Sequence, residues 1–150
     1  MVALCSTGGP ASAVRLLLVG FALMAMAGCA GQGPGVSSPT AGLSCVDDSP
    51  DCVAKRQATL EHFKKDDQRA WIGQSATPEA YASGVRLFAY SQKKKQLSCD
   101  ELKRGKIEAD AAPRILQGAS GKLSLNQISR GKMLAHEVSR ELGREIKKRC

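Results

Sequence analysis

The chain has 150 residues, 22 lysines and arginines against 14 aspartates and glutamates, and a formal net charge of +8. Only 4 % of it is aromatic and it holds two histidines, which allows one lean core and puts a histidine-rich zinc site out of reach. The basic balance suits a polyanionic partner, yet no aromatic residues are interleaved with the basic runs, so nucleic acid is not expected.

The opening segment carries one charged side chain, Arg15, and then the apolar run LLLVGFALMAMA, Leu16 to Ala27. That run has the length of an export-signal core and falls well short of the roughly 20 apolar residues of a membrane-spanning helix. It ends on Met26, Ala27, Gly28 and Cys29. These four residues resemble the lipobox of bacterial lipoproteins, with Met26 standing where leucine is usual. The resemblance implies that signal peptidase II removes residues 1–28 and that Cys29 receives acyl chains. Ala30, not aspartate, follows the cysteine, and by the enteric sorting pattern this implies an outer-membrane address facing the periplasm. The long stretch before Leu16 fits a start codon downstream of Met1.

Cysteine parity agrees with that reading. Of six cysteines, Cys5 leaves with the signal and Cys29 takes the lipid, so Cys45, Cys52, Cys99 and Cys150 remain. An even remainder suits an oxidising compartment, whereas ordinary cleavage after Ala25-Met26-Ala27 would leave an odd thiol. Four cysteines allow three pairings; Cys45–Cys52 with Cys99–Cys150 is the preferred one.

Residues 29–44 form a lipidated terminus and a tether rich in Gly, Pro and Ser, with no charge and no periodicity. Such a segment buries too little apolar surface to offset chain entropy. As a flexible coil it spans on the order of 20 Å, with a stretched limit of about 50 Å.

Residues 45–150 read as one all-α domain, a small up-down four-helix bundle-like fold stapled by disulfides. Ser49-Pro50 and Thr77-Pro78 are cap-plus-proline starts. Ser98 with Glu101, and Ser124 with Gln127, have capping-box spacing. The expected helices cover 50–72, 78–93, 98–112 and 125–149, the third ending or kinking at Pro113. Val53, Leu60, Phe63 and Ala70 mark the first core face, and Tyr81, Val85 and Phe88 the second. Ile128, Leu134, Val138, Leu142 and Ile146 form the stripe of the last.

Strict alternation of helix direction would gather all four cysteines at one pole. The same pole would collect Lys93, Lys94, Lys95, Lys103, Arg104, Lys106, Lys147, Lys148 and Arg149. Such a cluster, tied near a bilayer, would face anionic lipid headgroups and reinforce an acyl anchor. Solvated helix ends are the plainer reading of the same charges.

Catalytic strings fail on spacing. In GASGKLS, Gly118 to Ser124, Leu116 and Leu123 occupy positions where a phosphate loop needs Gly and Ser or Thr. His136-Glu137 is followed by Arg140 where a zinc protease needs a second histidine. Asp47-Asp48 and Asp66-Asp67 have no partner motif. No cofactor and no metal is expected. The chain therefore reads as an envelope lipoprotein acting as a non-enzymatic structural or interaction module, with an envelope protein or cell-wall component as partner. The alternative is an anchored or secreted periplasmic enzyme or ligand-binding protein whose site is dispersed along the sequence.

Overall fold

The computed structural model describes residues 38–150. The signal, Cys29 and the tether up to residue 37 lie outside the described residues. Five α-helices follow one another: α1 Pro50–Lys65, α2 Pro78–Ser83, α3 Val85–Lys93, α4 Cys99–Gly118 and α5 Leu125–Arg149. Two short 3-10 turns, Ala41–Leu43 and Ala70–Gly73, complete the set. The described domain is all-α and four-helix-bundle-like, with α2 and α3 forming one broken helix, and two disulfides staple it.

The helix starts follow from local chemistry. Ser49 and Thr77 each accept a backbone N–H of the first turn, with proline next in the chain. Ser98 with Glu101 and Ser124 with Gln127 form complete capping boxes, each satisfying two otherwise orphaned donors.

Three boundaries differ from the sequence expectation. The first helix stops at Lys65, not near 72. Arg69 takes left-handed backbone with φ 50°, and residues 66–77 turn the chain back without forming an α-helix. Ala70 is consequently exposed. The second helix breaks at Gly84, whose φ of 78° suits glycine, so α3 begins in a new phase. Tyr81 and Val85 are buried as expected, but Phe88 turns outward and is 47 % exposed. The third helix runs through Pro113 to Gly118. Proline removes one backbone donor there, while Ala109, Ala112 and Leu116 stay buried on either side, so packing outweighs the local cost.

The returning segment 66–77 also sets direction. Lys93 at the end of α3 donates its ammonium to the Lys64 carbonyl at the end of α1 (2.6 Å). Near their starts, Arg56 of α1 shares a cleft with Ser83 and Gly84. Hence α1 and α3 run the same way, and α4 and α5 form an antiparallel pair. The core is built around Phe63, Trp71, Tyr90, Leu87, Leu102, Leu116, Val138 and Leu142. Phe63 stacks on Trp71 at a centroid distance of 5.0 Å, and Trp71 meets Tyr90 edge-on at 4.8 Å.

Folded structure begins before residue 45. Gly42 is buried and its N–H donates to Thr59 Oγ1 (2.9 Å). A Cβ at Gly42 would stand 2.5 Å from the Lys55 carbonyl, so only glycine permits this approach. All five helices, both disulfides and the hydrophobic core fall within the unit Pro34–Cys150, so it has a core and staples of its own.

Candidate functional site

The cysteines pair as Cys45–Cys52, with a Cα separation of 5.2 Å, and Cys99–Cys150, at 5.8 Å. They do not share a pole. Gln127 in the first turn of α5 donates to the Val46 carbonyl (3.0 Å), and Arg130 holds Asp48 (2.9 Å). The first disulfide thus sits at the start of α5, and the second at its end, about 35 Å away at 1.5 Å per residue. The shared-pole expectation fails because segment 66–77 inserts an extra reversal of the chain.

The nine cations singled out by the sequence separate into two sets. Lys93 is 3 % exposed and gives its ammonium to the carbonyls of Lys64 and Asp66; it belongs to the core and not to a surface patch. Lys94 pairs with Glu141 (2.9 Å) and Lys106 with Asp110 (2.6 Å), Lys106 also reaching Ser139. Arg149 spreads its guanidinium over the carbonyls of Lys94, Lys95 and Leu97 and pairs with Glu145. Lys95, Lys103, Arg104, Lys147 and Lys148 are exposed.

A buried polar cluster was not expected from the sequence. Arg86 is 2 % exposed. It donates through Nε and Nη2 to Glu108, and through its Nη atoms to the carbonyls of Trp71 and Gln74. Tyr90 donates its hydroxyl to the same Glu108 carboxylate (2.8 Å). Burial works against the Arg86 charge, but the Glu108 carboxylate overrides it and raises the guanidinium pKa further. Burial, followed by the Glu108 charge, pushes Tyr81 up to about 12 and raises Tyr90 as well. The one sequence signal was a single charge, Arg86, inside the otherwise uncharged run Ala80 to Tyr90.

Two of the surface clefts that border α5 share Arg130. The first, about 320 Å³, is lined by Ala82, Gly84, Phe88, Gly131 and Leu134 and rimmed by Arg56 and Arg130. Both arginines lean on the single carboxylate of Asp48. The second, about 480 Å³, is polar and lies between Asp47, Asp48 and the Ser124–Arg130 turn. Hydrogen bonds from Ser49 hold Asp47 below the usual carboxylate range, and Arg130 does the same for Asp48. Both stay ionised near neutrality, so they serve as ion-pair partners and caps and cannot donate a proton as general acids.

Among the described residues no cluster of three or more histidine, cysteine, aspartate or glutamate side chains could hold a metal ion. None of the described helices is long and apolar enough to cross a membrane. Comparison with family models, curated proteins and solved structures finds no match for this chain.

Proposed function

We propose that the protein is a bacterial envelope lipoprotein, anchored through acyl chains on Cys29. Its helical domain acts as a non-enzymatic structural or interaction module. The observation that carries this reading is the string Met26-Ala27-Gly28-Cys29 closing an apolar run of signal-core length. The disulfides support it. The four cysteines of the domain pair with one another, which suits an oxidising compartment and leaves Cys29 with no cysteine partner once residues 1–28 are gone. Arg86 and Glu108 satisfy each other within the fold, so this buried pair fits a structural part. Ala30 after Cys29 favours the outer membrane, facing the periplasm.

Labelling cells with a palmitate analogue tests the anchor. Wild-type protein should incorporate label and fractionate with membranes, and Cys29→Ala should do neither. Equal labelling of both forms would overturn the reading.

A further inference from the structure

The exposed cations at the Cys99–Cys150 end are held on a stiff frame. Lys95 follows α3, Lys103 and Arg104 lie in the first turns of α4, and Lys147 and Lys148 close α5. The disulfide joins the start of α4 to the end of α5. Arg149 ties the end of α5 to the carbonyls of Lys94, Lys95 and Leu97. Three backbone segments are therefore fixed relative to one another before any partner arrives, which lowers the ordering cost of docking.

The register places these charges together. A Cβ at Gly143 would meet the Lys106 side chain at 3.5 Å, so these two positions face each other across the antiparallel pair. Lys103 lies one turn before Lys106 and Lys147 one turn after Gly143, on the same seam. None of Lys95, Lys103, Arg104, Lys147 and Lys148 has a carboxylate within ion-pair distance among the described residues. At the other end of α5, by contrast, Asp48 is shared by Arg56 and Arg130, and Asp51 holds Lys55.

We propose that the Cys99–Cys150 end is a docking face for anionic phospholipid headgroups. The anchored domain would then stand with the C-terminal end of α5 on the membrane and the Cys45–Cys52 end turned away. The inference builds on the Cys29 anchor. Eight residues lie between Cys29 and Ser38, nine chain steps with a reach of at most about 30 Å. The chain then packs on α1 at Thr59, less than two turns from the end of that helix at Lys65. The basic end is therefore within reach of the bilayer that holds the lipid.

The test uses the Pro34–Cys150 unit without lipid, and vesicles of phosphatidylcholine alone or mixed with phosphatidylglycerol. Each variant is first checked for helical circular dichroism and for the absence of free thiols. The unit should bind the mixed vesicles, ignore the neutral ones and be released by salt. The triple variant K103Q/K147Q/K148Q should bind at least about tenfold more weakly. The triple R114Q/K122Q/K132Q removes the same charge elsewhere and should change binding by less than about twofold. Equal losses in the two triples would overturn the proposal, as would failure of the wild type to prefer mixed vesicles. Binding to soluble polyphosphate without binding to vesicles would also overturn it. Failure here leaves acylation of Cys29 standing, because the mass of the mature N-terminus reports that separately. An unmodified Cys29 with vesicle binding intact would remove the anchor and uphold the face.

Discussion

Arg86, 22 residues before Glu108 in the chain, donates two hydrogen bonds to the Glu108 carboxylate, which also accepts from the Tyr90 hydroxyl. Removing Glu108 leaves the Arg86 guanidinium, which is 2 % exposed, without its compensating charge. Glu108→Ala should therefore cost about 3 kcal/mol in urea unfolding. The double variant R86M/E108L should recover most of that loss, because it removes both charges and keeps volume. A loss well under about 1 kcal/mol for Glu108→Ala would mean that the pair is solvated.

The two tyrosines of the chain report on the same region. Burial pushes Tyr81 up to about 12 and raises Tyr90 too, above the ordinary value of about 10. The fold holds these hydroxyl protons more tightly than the unfolded chain does. The linked stability is complete below about pH 10 and is lost as pH rises through the folded values. Tyrosinate absorbance of the native protein should stay flat between about pH 10 and 11, while the urea-unfolded chain titrates near 10. A titration step of half the full amplitude with its midpoint near pH 10 in the native protein would contradict the burial of one ring.

Gly105 and Gly143 are both helical, but they sit in different surroundings. A Cβ at Gly105 would stand 2.6 Å from the Tyr90 ring, and that ring is held by Glu108 and Trp71. Gly105→Ala should destabilise by about 2 kcal/mol through overpacking. At Gly143 the nearest atom is the flexible Lys106 side chain, at 3.5 Å. Gly143→Ala should raise stability by about 0.5–1 kcal/mol through helix propensity. Thermal unfolding of the two single variants decides both.

The disulfides close loops of very different length, with sequence separations of 7 and 51. In the chain-entropy model these restrict the unfolded chain by about 2.5 and about 4 kcal/mol. Replacing Cys99 and Cys150 by serine should therefore lower stability by about 1.5 kcal/mol more than the same change at Cys45 and Cys52. Equal losses in denaturant unfolding would show that native contacts around each bridge matter more than loop length.

What the sequence made legible was local. Ser49, Thr77, Ser98 and Ser124 cap helices where their neighbours said they would, because a cap is decided within four residues. The α5 stripe held for the same reason: Ile128, Val138 and Leu142 are buried, and Leu134 and Ile146 pack against the core. The misses are non-local. Gly84 sits in an apolar run that reads as unbroken helix, but its left-handed backbone, and its approach to α5, where a Cβ would meet Leu134 at 3.0 Å, place it at a junction. Pro113 reads as a stop or a kink, yet the antiparallel pairing with α5 carries the helix past it to Gly118. Lys93 reads as one of three solvated lysines, although a neighbouring helix end offers its ammonium two carbonyls. The separation of the two disulfides depends on the 66–77 reversal, which contains a left-handed arginine, Arg69, that no periodicity announces.

The proposed anchor is an atom before the described domain, the sulfur of Cys29. Intact-mass and peptide mass spectrometry of the protein purified from membranes, alkylated without reduction, measures it directly. If the anchor is as proposed, the mature chain begins at Cys29 with acyl mass added, and Cys45, Cys52, Cys99 and Cys150 are protected from alkylation. A chain running unmodified through Cys29, with those four thiols alkylated, would contradict it.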